Sequence, residues 1–279
     1  LDTASEASDQ VPTTTGSEGF GSFHSASSTA EFWCSLGSQK GRWADIEDDD
    51  GILSQPGSDQ FTATQGSSSA SPRQDAADES VHKLALSVLQ GDHRGGVWEL
   101  SCTAEGCRAV QASLTTGDIA SQVVVISELQ GHVWEASRSP HANYVLQKAI
   151  EVLPPDQLQF IVDEFPGRAL AACRHRFSCR VVQRLLEHCG FAQTNALTEE
   201  ILDSCNLLLR HPYGNFVLQT LLEHGKEAHR SKIIDALLAD VVDLARHRIG
   251  SHIVQCALMH AGPENRSRLV DVLLRDPKE

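Results

Sequence analysis

From about Val81 onward, apolar residues recur at helical spacing. Breaks at Gly95-Gly96, Pro154-Pro155, Pro166-Gly167 and Gly262-Pro263 cut this stretch into short helices. No segment shows the strict alternation of a strand, so the pattern predicts an all-α region. The decisive feature is a repeat. Gln111, Gln147, Gln183, Gln219 and Gln255 follow one another at a constant spacing of 36 residues. The position two before each glutamine holds Ala109, Val145, Val181, Val217 and Ile253. The position one before holds Val110, Leu146, Val182, Leu218 and Val254, and three after come Leu114, Ile150, Leu186, Leu222 and Leu258. These columns predict the buried stripe of one helix per repeat. A second stripe shares the period: Val125, Ile161, Leu197, Ile233 and Leu269, then Leu129, Phe165, Ile201, Leu237 and Leu273. Two amphipathic helices preceded by a short helical turn fill each unit. Stacked units of this kind bury one continuous core between neighbours, which is an α-solenoid.

Residues 1–80 read differently. They are rich in Ser, Thr, Gly, Asp and Gln, and lack hydrophobic periodicity. Such a segment buries too little apolar surface to offset the entropy of ordering, so it is expected to be a disordered tail. Phe32-Trp33-Cys34, and Arg42-Trp43 ahead of the acidic run from Asp45 to Asp50, are its two aromatic islands. They are short partner-docking candidates, or incidental residues of a solvated tail. The expected organisation is a tail over 1–80 and a repeat domain over 81–279. Its units span about 96–131, 132–167, 168–203, 204–239 and 240–275. A further helix at about Val81–Gln90 is expected to cap the first unit.

Charge follows the same division. The chain's formal net charge is −14. Residues 1–80 carry three basic against fourteen acidic side chains, and 81–279 carry twenty against twenty-three. The repeat domain is therefore near neutral, and bulk electrostatics alone do not hold a nucleic acid there. The eight cysteines are scattered, with no C-x-x-C pair, and read as reduced thiols rather than a disulfide framework or zinc site. No metal site or cofactor is expected. No apolar run reaches 18 residues, and the start of the chain shows no secretory signal. No catalytic constellation is present, so the chain is not expected to be an enzyme.

The polar columns carry the candidate chemistry. Four residues before each glutamine stand Cys107, Asn143, Cys179, Asn215 and Ser251. Residues four apart share one helix face. Between them lies a planar side chain in every unit: Arg108, Tyr144, Arg180, Phe216 or His252. Two hydrogen-bonding groups beside a flat one describe a base-reading site, the pair facing a base edge and the flat group its π-face. A basic column, Arg138, Arg174, Arg210 and Arg246, precedes the helix, with His175, His211 and His247 following it in the last three units. These are candidate phosphate contacts, or a solvated or helix-capping row on the rim. Trp98 and Trp134 read as packing between units.

These motifs resemble the Pumilio/PUF family, whose members read RNA one base per repeat. The likeness covers about residues 95–275 and extends to the stretches 158–163, 182–189, 211–214, 222–225 and 231–234. The resemblance implies that Asn143/Gln147 and Asn215/Gln219 each read uracil, and that Cys107/Gln111 and Cys179/Gln183 each read adenine. Arg108, Tyr144, Arg180, Phe216 and His252 would form the stacking ladder. With the strand antiparallel to the chain, the implied core is 5′-(A/G)UAUA-3′ in single-stranded RNA. Ser251 sits where a Ser/Glu pair reads guanine, but Gln255 replaces the Glu and fits adenine better. Typical members have eight repeats, so five read as a truncated array. The resemblance also implies a monomeric cytoplasmic regulator of mRNA through 3′ untranslated regions, with protein partners on the convex face or the tail. The competing functions are a peptide-binding scaffold and a degenerate array that binds RNA with little sequence preference.

Overall fold

The computed structural model describes residues 72–93 and 95–275. The two aromatic islands and the rest of the chain up to residue 71 lie outside the described residues. The first helix, α1 (Pro72–Gln90), starts inside the segment expected to lack structure and well before the cap helix expected at Val81. Its start has physical cause in the sequence. Pro72 suits a first helical position, where no N–H is needed. Lys83 pairs with Glu79 at 2.8 Å one turn away. Ala85 and Val88 are buried, and α1 packs along the middle helix of the first repeat.

Five units of three helices follow. The short opening helices are α2 (Val97–Ser101), α5 (Val133–Arg138), α8 (Ala169–Cys173), α11 (Cys205–Leu208) and α14 (Val241–Arg246). The middle helices are α3 (Ala104–Thr116), α6 (Ala142–Val152), α9 (Ser178–His188), α12 (Gly214–His224) and α15 (Gly250–His260). The closing helices are α4 (Ile119–Ser127), α7 (Gln159–Asp163), α10 (Phe191–Asp203), α13 (Glu227–Leu238) and α16 (Pro263–Leu274). The second unit departs from the others. A 3-10 turn at Pro155–Leu158, opened by Pro154-Pro155, precedes the short α7. No described helix is long and apolar enough to cross a membrane.

Middle helices pack side by side in the order α1, α3, α6, α9, α12, α15. The predicted columns are the packing surface. Ala109, Val145, Val181, Val217 and Ile253 are all 0% exposed. Phe165, with Leu129, Ile201 and Leu237 in its column, is also fully buried. One apolar cluster runs from Val88 to Leu269. Trp98 stacks on His132 of the next unit, and Trp134 meets Phe165 edge to face, so both tryptophans serve packing.

The turns between units need their own hydrogen bonds. Gly95, Gly131 and Gly167, again 36 apart, have φ of 79°, 83° and 77°. A carboxylate one unit later closes each turn. Glu128 accepts from the N–H of Gly95 and Val97, Glu164 from Gly131 and Trp134, and Glu200 from Gly167 and Ala169, at 2.7–3.2 Å. The last two units use ion pairs between closing helices instead. Lys232 pairs with Glu199, and Arg268 pairs with Asp235 at 2.8 Å.

A Cβ added at Gly131 would meet nothing within 4 Å, so the cost of Gly131→Ala is conformational alone. We expect Gly131→Ala to lower unfolding stability by about 1–2 kcal/mol, and Gly131→Asn to lower it by less, in chemical denaturation followed by circular dichroism.

Candidate nucleic-acid interface

Each middle helix presents the same triplet on the same face, because the period is constant and the helices stack in register. The planar residues stand out from this face: Arg108, Tyr144 and Arg180 are exposed, and Phe216 and His252 are half-buried. Helices packed side by side lie about 8–10 Å apart. Bases stacked along a duplex strand lie about 3.4 Å apart. A strand running across these helices must therefore be unstacked, with a flat side chain in each gap.

The glutamines reach the surface to different degrees. Gln111, Gln147 and Gln219 are half-buried, Gln183 is buried and Gln255 is exposed. Four are tethered inward. Gln147 Nε2 donates to Asn143 Oδ1 at 2.8 Å, and Gln219 Nε2 to Asn215 Oδ1 at 2.7 Å. Gln183 Nε2 donates to the Cys179 carbonyl at 3.0 Å, and Gln111 Nε2 to the carbonyl and sulfur of Cys107. A tether of this kind turns Oε1 and the second N–H outward, one acceptor beside one donor. Uracil and adenine each offer the matching donor and acceptor, so the glutamine alone does not choose between them. The choice falls to the residue beneath it. Among the described residues, Gln255 has no such tether, and the Ser251 hydroxyl donates instead to the Arg248 carbonyl at 3.4 Å.

The residues beneath are less accessible than their partners. Cys107, Asn143, Cys179 and Asn215 are at most 4% exposed. Asn143 Nδ2 donates to the Ser139 carbonyl, and Asn215 Nδ2 to the carbonyls of His211 and Pro212. Burial pushes the thiols of Cys107 and Cys179 each up to about 11, so both stand as neutral groups that leave volume above them.

The basic column is exposed beside the openings of the middle helices, but not every member stands alone. Arg138 lies over the Trp134 ring at 5.3 Å, and Arg210 pairs with Asp240. The histidines that follow are not rim groups. His175 Nδ1 accepts from the N–H of Phe177 and Ser178, His211 Nδ1 from Tyr213 and Gly214, and His247 Nδ1 from Ile249 and Gly250. In the same column, Ser139 Oγ accepts from His141 and Ala142, and Thr103 Oγ1 from Gly106. The column therefore satisfies the free N–H groups that open each middle helix. Of the alternatives the sequence left for the histidines, capping is the one the geometry takes. The sequence signal was present: Thr103 and Ser139 share the histidines' register.

The far ends of three middle helices are held as well. Gln122 donates to the carbonyls of Leu114 and Gly117, Arg230 to those of Leu222 and Glu223, and Arg266 to those of Met259 and Ala261. These three residues also share one 36-residue column. Side chains thus fix both ends of a reading helix, and the glutamine between them is set on a rigid element.

Known proteins divide over this chain in an informative way. The sequence profile of the Pumilio-family RNA binding repeat matches residues 97–130, 132–165, 171–202, 204–238 and 240–274. No curated protein sequence matches the chain. Solved structures do. The Puf3 RNA binding domain, bound to site A of the Cox17 RNA 3′ UTR recognition sequence, is 25% identical with a TM-score of 0.66, over 74% of this chain and 66% of that one. PUF-8, solved in complex with PBE-RNA, is 26% identical with a TM-score of 0.63, over 71% and 63%. The RNA-binding domain of yeast Puf5p bound to SMX2 RNA is 16% identical with a TM-score of 0.57, over 63% and 52%. The chain spans less than two thirds of the length of each of these domains.

The capping histidines give the fold a pH dependence. Burial first, then Arg138 and Arg176, holds His175 below the ordinary imidazole value, and burial with Arg174 does the same to His211. A depressed folded value means that the unfolded chain takes up the protons, so this stability is present above the unfolded value and lost as pH falls below it. We expect the denaturation midpoint to drop below about pH 6.5, the unperturbed imidazole value. Replacing both residues with serine, which caps α6, should cost less than about 1 kcal/mol at neutral pH and flatten that drop.

Proposed function

Because the chain belongs to the Pumilio family of RNA-binding repeat proteins, we propose that it binds single-stranded RNA in a sequence-specific manner, one base per repeat, with the core 5′-(A/G)UAUA-3′. The observation that supports this most directly is the fivefold register of a glutamine, a residue beneath it and a planar neighbour along one face of stacked helices. Asn143 and Asn215 fill the space under their glutamines and add amide groups suited to the mixed edge of uracil. Cys107 and Cys179 are small and uncharged, which leaves room for a purine. The planar side chains hold each base by its face, and stacking contributes about 1–3 kcal/mol per base.

Low charge sharpens the argument. A domain with nearly balanced charge gains little from counterion release. Its affinity must come from base contacts, which makes recognition depend on sequence. Arg138, Arg174, Arg210 and Arg246 then serve to position phosphates along the rim, with Arg210 sharing its charge with Asp240. In this reading the target lies in the 3′ untranslated region of a messenger RNA, as for the Puf3 domain to which this chain is similar. The outcome is control of translation or stability in the cytoplasm.

The last repeat is the weak point. Its glutamine is exposed and untethered, so either amide orientation is open to it, and its discrimination should be the smallest of the five. Two measurements test the reading, both by fluorescence anisotropy with the full chain at fixed salt. First, Asn215→Ala combined with Gln219→Ala should weaken binding to AUAUA by at least about tenfold, the equivalent of 1.4 kcal/mol. A shuffled RNA of equal composition should bind weakly to both proteins. Second, Asn143→Cys should move the preference of that repeat from U to A, so that AUAAA overtakes AUAUA. In the unaltered protein, the ratio between AUAUA and GUAUA should favour the first and be smaller than any ratio at the Asn215 repeat. Equal affinity for all RNAs, unmoved by these changes, would sink the proposal and favour a scaffold.

A further inference from the structure

The fourth and fifth middle helices meet at a cluster that base reading does not use. Cys256 and His260 are four residues apart on α15 and share one face. Glu223 lies opposite them on α12. One ligand-type atom from each of the three residues lies within 4.8 Å of the other two. His260 Nε2 stands 3.9 Å from Glu223 Oε1. Cys256 is buried, and the other two are half-buried, so the cluster lies at the edge of the core with access from outside.

We infer that Glu223, Cys256 and His260 form a binding site for a single divalent transition-metal ion of the zinc type, which staples the fourth repeat to the fifth.

The chemistry of the donors selects the ion. One thiolate, one imidazole and one carboxylate are the three donor types zinc accepts, and three protein ligands leave a fourth position for water. Ligand bonds of about 2.0–2.3 Å in a tetrahedron place donors about 3.3–3.8 Å apart. The existing separations close to that range through side-chain adjustment alone, because both helices are already packed together. Binding of the ion releases the thiol proton of Cys256. His224 Nε2 stands 3.7 Å from the other oxygen of Glu223. The nearest competing cation, Arg230, is drawn away by the carbonyls of Leu222 and Glu223 and by Glu227.

The test uses the full chain with zinc or cobalt alone. After loading with zinc and dialysis, the unaltered protein should retain one ion per chain, and zinc should raise its thermal midpoint by several degrees. Cobalt should give a thiolate-to-metal charge-transfer band. That band should persist in Cys102→Ser, which removes the one exposed thiol among the described residues, and in Cys34→Ser, and vanish in Cys256→Ala. His260→Gln and Glu223→Gln touch half-buried side chains, and they keep the test decisive if the cysteine variant unfolds. Each should weaken zinc binding by more than about 100-fold, the upper end of what loss of an outer-shell partner costs. Absence of a thiolate band in the unaltered protein would overturn the site. So would zinc retention that is equal in all folded variants. RNA affinity is read separately, so failure here leaves the reading face intact.

Discussion

Everything in this molecule depends on the close packing of one middle helix against the next. The columns two and one before each glutamine are buried almost without exposure in every repeat. They fix the rotation of each helix about its axis. A slip of one residue would turn a helix by about 100° and carry its glutamine off the reading face. The 36-residue period is therefore a packing constraint before it is a code. Glycines held by Glu128, Glu164 and Glu200 close the turns that open the first three units, and ion pairs tie the closing helices of the later units to one another.

Rigidity along each helix comes from its ends. Side chains outside the helix satisfy the opening N–H groups in all five repeats, and the closing carbonyls in three. A base edge is read by hydrogen bonds whose geometry tolerates only tenths of an ångström. A helix that frayed at its ends would lose that precision where Arg108, Tyr144 and their counterparts stand, one turn from the opening. The use of His175 and His211 as the caps of α9 and α12 adds sensitivity to acid, which serine and threonine in the first two units do not carry.

Much of this was legible in the sequence, because burial imposes periodicity and five copies average out local noise. The two apolar stripes, the all-α solenoid and the face shared by the glutamines and planar residues followed from spacing alone. Other features were hidden for identifiable reasons. The start of α1 at Pro72, where a proline suits a first helical position, falls within a segment whose composition argued for disorder. The sequence left capping as one of several roles for the histidine column, because threonine, serine and histidine do one task with different chemistry. Burial of Asn143 and Asn215 under their glutamines is a depth relation, which spacing along one helix does not report. The ion pair of Arg210 with Asp240 and the cluster of Glu223 with Cys256 and His260 join residues 30 or more positions apart. No local motif search connects them.

The distribution of order along the array bears on how such a domain discriminates. In the first four repeats, the glutamine is held by the residue beneath it before any base arrives. Part of the entropy of ordering that side chain is thus met on folding rather than on binding. Every tethered glutamine presents the same acceptor beside a donor, so under the function proposed above the residue beneath it decides which base leaves a donor or acceptor unpaired in a partly buried site. An unpaired group of this kind costs about 1–3 kcal/mol, as much as one stacked base contributes. Specificity at these positions comes from the penalty for the wrong base as much as from attraction to the right one. Under the function proposed above, the fifth repeat, which lacks the tether, imposes a smaller penalty and selects less. Phosphate contacts reward every sequence equally and base edges do not, so selectivity in a near-neutral domain would rest on the base edges.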